Sequence, residues 1–109
     1  MGAMMKYHEL INEKAFQAQV VELAAMYGWL CYHTYDSRRC APGYPDLALA
    51  HPSGQYLLAE LKSQHGRLRP AQRVWIDALC KAGVEVHIWR PRDWDSIVER
   101  LTRHALVRR

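Results

Sequence analysis

The stretch Gly43–Lys62, GYPDLALAHPSGQYLLAELK, decides the fold of this 109-residue chain. It predicts two short apolar strands joined by a tight turn at residues 52–54. Charges stand at the outer ends of this hairpin, where Asp46 enters the first strand and Glu60 and Lys62 leave the second. Because burying an unpaired charge is costly, charges in so apolar a hairpin require a partner or a function.

The length of the turn sets which residues face each other. If residues 52–54 form a three-residue loop, His51 faces Gln55 and Asp46 lies directly opposite Glu60. Directly opposed residues have Cβ atoms about 5 Å apart, so the two carboxylates repel. They then need a proton, a cationic neighbour or a metal ion. A register shifted by one residue would turn Asp46 to the other face, so this inference depends on the loop.

Composition favours a polyanionic partner. The net charge is +4, and from Lys62 onward there are 11 Lys and Arg against 5 Asp and Glu, whereas residues 1–61 hold 4 against 6. Eleven of the 15 cations are arginine, which suits bidentate phosphate contacts. No apolar run is long enough for a membrane span and no signal peptide is visible, so we expect a cytoplasmic protein.

The chain is expected to form one domain, residues 5–109, and we interpret residues 1–4 as a cloning remnant. Cys31, Cys40 and Cys80 are an odd, widely spaced set without a CxxC pair. This spacing favours reduced thiols in a cytosolic protein over a disulfide framework or a zinc site.

A first helix is predicted from about Glu9 to Tyr27, with Gly28 ending it. At 100° per residue, Glu13 falls near the centre of the stripe that faces the protein interior, and Gln17 follows one turn later. The simplest interpretation of Glu13 is a helix-start acid favoured by the helix dipole. Glu9, one turn earlier, is the competing carboxylate, so the choice between the two stays open.

A second helix is predicted from Pro70 to Lys81, closed by Gly83. Gln72 lies at the centre of its otherwise apolar face, where a structural hydrogen bond to the backbone is the simplest role. The remaining elements are two strands and a third helix that starts at Asp93 or Asp95. Their predicted ranges are Trp29–Tyr35, Val84–Arg90 and, for the helix, as far as about Arg103. The order is therefore α-β-β-β-α-β-α.

These residues resemble a known pattern. Pro45-Asp46, thirteen residues and then Glu60-Leu61-Lys62 match the PD-(D/E)XK signature of the restriction-endonuclease-like nucleases. Four further pieces are similar to the VRR-NUC (virus-type replication-repair nuclease) family, in what looks like its stand-alone viral or bacterial form. They are Glu13-x-x-x-Gln17, Gly28-Trp29, Gly43-x-Pro45-Asp46 and Leu68-x-Pro70-x-Gln72.

The resemblance implies an α/β fold, a mixed four-stranded sheet flanked by helices with a C-terminal helix. It also implies a hydrolytic site that uses Mg²⁺ or Mn²⁺, because hard oxygen ligands select these ions. The expected metal ligands are Asp46, Glu60, the Leu61 carbonyl and Glu13. Lys62 is expected to orient water and stabilise the transition state, and Gln17 and Gln72 to hydrogen-bond to water or the scissile phosphate.

The implied partner is branched DNA, such as Holliday junctions or flaps, cut by an endonuclease during replication, recombination or repair. The expected backbone contacts are Arg38, Arg39, Arg67, Arg69 and Arg73, which position DNA without reading its sequence. Resolving a junction symmetrically requires two sites and hence a homodimer, whereas cutting a flap would need only a monomer. The alternative is a catalytically weak DNA-binding module of the same fold that acts within a larger complex.

Overall fold

A four-stranded mixed sheet carries the fold. The computed structural model describes residues 8–34 and 41–106, with only the backbone at residues 104–106. The strands are β1 (Leu30–His33), β2 (Leu47–His51), β3 (Gln55–Leu61) and β4 (Val86–Trp89). The helices are α1 (Glu13–Met26), α2 (Pro70–Lys81) and α3 (Trp94–Leu106), with a 3-10 turn at Pro91–Asp93. This order and the mixed sheet confirm the predicted fold class.

The hairpin has the predicted register. His51 pairs with Gln55 and Leu47 pairs with Ala59, so the next position outward sets Asp46 against Glu60. The amide of Gly54 donates to the His51 carbonyl at 2.9 Å and closes the three-residue turn. The sheet order is β1-β2-β3-β4, antiparallel except for the parallel β3–β4 pair, which α2 connects.

The main core lies between one face of the sheet and the helices α1 and α3. It is formed by apolar side chains of α1, all four strand regions and α3, chiefly Phe16, Val20, Ala24, Leu47, Leu49, Leu57, Ala59, Leu61, Trp89, Ile97 and Leu101. Along β3 the side chains alternate between faces, so Glu60 points away from this core. Helix α2 covers that opposite face, where Ile76 and Leu58 are buried.

The first helix differs from its prediction at the amino end. Residues 8–10 form a separate helical turn, and α1 begins at Glu13 because the Asn12 side chain caps it by accepting from the Ala15 amide at 2.8 Å. The buried stripe is formed by Phe16, Val20 and Ala24, and Glu13 lies in line with it, as the helical wheel predicted. Glu13 is nevertheless exposed, since it is the first residue of the helix.

The ends of the other helices and strands lie close to their predicted positions. Helix α2 has the predicted ends, and Gly28 and Gly83 follow α1 and α2 with positive φ angles of 88° and 86°. The two outer strands are shorter than predicted, since Trp29 packs in the core and Arg90 leaves the ladder. Helix α3 begins at Trp94 after the 3-10 turn and extends past Arg103 to Leu106.

Helix α3 is fastened to the sheet by a buried arginine. Arg100 Nε donates to Glu85 Oε2 at 2.6 Å and its NH2 donates to Glu85 Oε1 at 2.9 Å, which makes a bidentate pair. Its NH1 donates to Gln55 Oε1 at 2.7 Å. The guanidinium lies over the Trp29 ring, 5.4 Å from the ring centroid. The pKa of Glu85 is lowered to about 2, chiefly by the hydrogen bonds from Arg100 and also by one from His87.

No helix in the described part of the chain has the length and apolarity needed to cross a membrane.

Candidate active site

Asp46 and Glu60 meet at the open end of the hairpin. Asp46 Oδ2 accepts a hydrogen bond from the Leu61 amide at 2.8 Å, which holds the aspartate against β3. Glu60 is 1 % exposed, and the Lys62 ammonium lies 3.9 Å from Glu60 Oε2. Lys62 is itself buried at 6 % exposure. The two carboxylates and the lysine therefore occupy one poorly solvated corner of the sheet.

The electrostatics of this corner are dominated by Glu60. Burial, followed by the negative charge of Asp46, raises the pKa of Glu60 to about 8, and Lys62 opposes this rise. Glu60 Oε1 is a buried oxygen without a hydrogen-bond partner among the described residues. A buried acceptor left in this way costs free energy unless a proton or a cation satisfies it. The arrangement thus favours a cation close to Glu60 and Asp46.

Gln72 joins helix α2 to this corner. Its Nε2 donates to Glu60 Oε2 at 2.9 Å, while its Oε1 accepts from the Arg69 amide at 2.8 Å. The second contact caps the start of α2, so the same side chain fixes both the helix and the glutamate. The backbone hydrogen bond expected for a buried glutamine is therefore present, whereas the predicted contact of Gln72 with water or phosphate stays a prediction.

Gly43 explains how the loop before Asp46 is held. It has a φ of 98°, and a Cβ atom at this position would lie 2.5 Å from the backbone C and O of Ala71. The loop thus packs directly on the first turn of α2, where only glycine fits. Next along the chain, Tyr44 contacts the Trp75 ring edge-on with centroids 5.0 Å apart. The sequence alone does not indicate this contact of Gly43 with Ala71.

The two competing carboxylates of the amino-terminal region have different surroundings. Glu9 Oε1 lies 2.6 Å from His65 Nε2 in an exposed pair. Glu13 is exposed as a residue, but partial shielding by the protein raises the pKa of its carboxyl. The charge of Lys62 opposes that rise and the charge of Asp46 adds to it. The electrostatic coupling to the corner therefore belongs to Glu13.

Gln17 lies at the β1 side of the site. Its amide hydrogen-bonds to the ring of His33, the last residue of β1, which pairs with Leu47. The amide of Thr34, the next residue, donates to the Asp46 carbonyl at 2.9 Å. Gln17 is thus linked to the strand end that precedes Asp46, whereas its predicted contact with water or phosphate stays a prediction.

The structure describes three of the five predicted arginines. Arg38 and Arg39 lie outside the described residues. Arg69 is near enough to Glu13 for its charge to oppose the rise in the pKa of that carboxyl. Arg67 and Arg73 line a separate cavity of about 360 Å³ together with two arginines that sequence analysis missed, Arg90 and Arg92. The sequence offered one indication of Arg90 and Arg92. A helix between β3 and β4 implies that the two strands are parallel, and parallel pairing brings their carboxyl ends to the same edge of the sheet.

The oxygen atoms available at this corner fit a hard divalent cation that takes few of its ligands from the protein. Within residues 8–34 and 41–106, no three His, Cys, Asp or Glu side chains converge closely enough to form a metal cage. Asp46, the unpartnered Glu60 Oε1 and the adjacent Leu61 carbonyl offer oxygen atoms only. Magnesium is commonly held by one or two carboxylates and keeps several waters, so this set suits it, and a zinc cage does not.

The fold and the carboxylate corner together define a nuclease-like α/β domain. The VRR-NUC domain model matches residues 4–93, so the chain belongs to the VRR-NUC family. Two solved structures share the fold. A VRR_NUC domain superposes with a TM-score of 0.68 at 24% identity and covers 80% of this chain and 94% of that one. A VRR_NUC domain protein has a TM-score of 0.66 at 20% identity, with coverage of 85% and 89%.

Two curated relatives carry a nuclease name. Fanconi-associated nuclease 1 of Danio rerio is 39% identical over 54 residues, which are 49% of this chain and 6% of that protein. The Fanconi-associated nuclease 1 homolog of Schizosaccharomyces pombe is 38% identical over 56 residues, or 50% and 8%. The chain therefore spans less than a tenth of the length of these relatives.

Proposed function

We propose that this nuclease-family chain is a metal-dependent, structure-selective DNA endonuclease. It would hydrolyse phosphodiester bonds in branched DNA, at junctions or flaps, during replication, recombination or repair. The observation that carries this proposal is the buried Glu60 carboxylate, which lies opposite Asp46 with one oxygen lacking a partner among the described residues. Such an arrangement needs a proton or a cation to compensate it, and a bound metal cation is what phosphodiester hydrolysis can use.

Asp46, Glu60 and the Leu61 carbonyl would hold Mg²⁺ or Mn²⁺, and Glu13 would bind the ion or its water. When bound, the ion would polarise the scissile phosphate and acidify a water molecule. Gln72 holds Glu60 by its Oε2, which leaves Oε1 free to act as a ligand.

The role of Lys62 is electrostatic. Its ammonium lies 3.9 Å from Glu60 Oε2, beside two carboxylates. A charged lysine cannot abstract a proton, so Lys62 would orient the attacking water and stabilise charge on the phosphate in the transition state. Its low exposure restricts its rotamers, which keeps the charge pre-positioned.

Arginines outside the carboxylate corner support a DNA substrate. Arg69 near Glu13, and Arg67 and Arg73 beyond it, can contact backbone phosphates, which position a duplex without specifying bases. Selection by DNA shape is therefore favoured over selection by sequence. Cutting two strands of a junction symmetrically would require a homodimer, which a solution mass measurement tests.

The decisive experiment compares purified wild-type protein with Asp46→Asn, Glu60→Gln and Lys62→Ala on labelled junctions, flaps, splayed arms and duplexes. With Mg²⁺ or Mn²⁺ the wild type should cut branched DNA, and each variant should lose activity while retaining DNA binding. Mg²⁺ should also raise the Tm of the wild type but not that of Glu60→Gln. Binding without cleavage by the wild type would instead support the weak DNA-binding module, and full activity of any variant would refute the assigned site.

A further inference from the structure

The cavity beside the active site is built around Arg90. The NH1 of Arg90 donates to the carbonyls of Ser63 and Gly66 at 2.8 and 2.6 Å, and more weakly to that of Gln64 at 3.5 Å. The amide of Arg92 donates to Gln64 Oε1 at 3.0 Å. These bonds fasten the loop after β3 to the chain after β4, and the fastened loop forms one wall of the cavity.

The charge of this cavity is positive and uncompensated. Arg90 is held by carbonyl oxygens rather than by carboxylates, so its bonds leave the positive charge in place. Arg67, Arg73 and Arg92 are exposed, and no acidic group of the described chain lies within ion-pairing distance of them. No Asp or Glu is among the described residues that line the cavity, and two lining residues contact acids: His65 pairs with Glu9, and the Arg90 amide donates to Asp93.

The position of the cavity relates it to the reaction centre. The loop that forms its wall begins directly after Lys62, whose amide donates to the Trp89 carbonyl at 3.0 Å. In the same loop, a Cβ on Gly66 would lie 3.6 Å from Lys62 Cδ. The cavity wall therefore lies beside Lys62, whose ammonium is 3.9 Å from Glu60 Oε2 in the carboxylate corner. A strand bound at one would extend readily to the other.

We infer that this cavity binds a phosphate group of the DNA strand other than the one that is cut. Arg67, Arg73 and Arg92 contact the phosphate, and Arg90 is a positioning residue that shapes the loop. Guanidinium groups match phosphate oxygens in bidentate geometry, and a volume of about 360 Å³ accepts a phosphate with its neighbouring sugar. The inference rests on the proposed nuclease function for its substrate, and it adds a second anchor that fixes the direction of the strand through the site.

The test measures DNA affinity without divalent metal, so that it does not depend on cleavage. Arg92→Ala and Arg73→Ala are compared with Arg103→Ala, which removes the same charge from an exposed position on α3. We expect Arg92→Ala and Arg73→Ala to weaken binding about tenfold and to reduce the salt slope of log K by about 1. Arg103→Ala should change affinity by less than about twofold. Equal effects of all three variants would overturn the inference.

The DNA ligand is a dumbbell duplex closed at both ends, which carries internal phosphates only. If the variants weaken binding to open duplexes with terminal phosphates but not to the dumbbell, the assignment to an internal phosphate is wrong. Thermal melting checks that each variant is folded. Because the Arg92 and Arg73 side chains are exposed, we expect both variants to keep the Tm of the wild type.

A small diester separates this inference from the proposed function. Metal-dependent hydrolysis of bis(p-nitrophenyl) phosphate requires the carboxylate corner but offers no second phosphate, so Arg92→Ala should lower kcat/KM for DNA more than it lowers kcat/KM for the diester. Failure of the wild type to hydrolyse the diester would count against the nuclease function alone. A parallel loss of diester hydrolysis in folded Arg92→Ala would contradict the separate anchor.

Discussion

Gln72 and Glu60 are joined by a 2.9 Å hydrogen bond that links the first turn of α2 to the buried end of β3. The bond matters because the two carboxylate oxygens of Glu60 have different surroundings. Oε2 faces Gln72 and Lys62, and Oε1 has no partner within the described residues. A helix-capping side chain thus determines which oxygen of the glutamate remains available.

We expect Gln72→Leu to lower both stability and activity. The substitution removes the donor to Glu60 and the acceptor for the Arg69 amide, at a cost of about 1–2 kcal/mol in the free energy of unfolding. Cleavage of branched DNA should fall roughly 10–100-fold, because Glu60 loses its orienting partner. Urea unfolding and single-turnover cleavage measure the two effects. Val74→Ala, at a position 68% exposed on the same helix, is the control and should change neither.

Gly43→Ala should displace the loop that carries Asp46. A Cβ there would lie 2.5 Å from backbone atoms of Ala71, which cannot move without shifting α2. Gly54→Ala is a matched control, since Gly54 has a similar φ of 100° but no atom within 4 Å of the new Cβ. Both variants carry backbone strain of about 1–2 kcal/mol, and Gly43→Ala should cost more and lose cleavage. Equal urea midpoints for the two variants would contradict the packing argument.

The choice between the two amino-terminal carboxylates can be made with one substitution each. Glu13→Gln should reduce metal-dependent cleavage about tenfold or more, because its carboxyl is coupled to Asp46 and Lys62. Glu9→Gln breaks only an exposed pair with His65 and should leave the rate unchanged. Initial rates at saturating Mg²⁺ distinguish them. A larger effect at Glu9 would reverse the assignment.

Acid should weaken the attachment of α3. The pKa of Glu85 is about 2 in the folded protein against an ordinary value of 4.5, so folding favours its ionised form. The resulting stabilisation is fully present above pH 4.5 and is lost as the pH falls from 4.5 towards 2. Urea unfolding at pH 6, 4 and 3 should show that acid lowers the free energy of unfolding less for Glu85→Gln than for wild type. Glu22→Gln, at an exposed position, should follow the wild type.

The hairpin was predictable because two independent rules agreed. Alternation along the strands and the three-residue turn at residues 52–54 together set Asp46 against Glu60, and the observed pairing of His51 with Gln55 confirms that register. The ends of α2 were predictable for a similar reason, since Pro70 and Gly83 are strong local signals.

The remainder depends on contacts between distant segments. A helical wheel gave Glu13 a central place on the buried stripe, but the Asn12 cap makes Glu13 the first residue of the helix, where it is exposed. The role of Gly43 depends on the carbonyl of Ala71, and that of Arg90 on three carbonyls of the 63–66 loop. Neither partner can be identified from local spacing.

The amide of Lys62 donates to the carbonyl of Trp89, a residue that the ribosome adds only after the whole of α2. A growing chain that ends before β4 therefore contains all three motif side chains but lacks the strand that fixes the lysine. Parallel pairing across a helix is a long-range step and forms late. If the chain is a nuclease as proposed, we expect its activity to arise only after β4 has been synthesised. A fragment ending at Lys81 should accordingly be inactive.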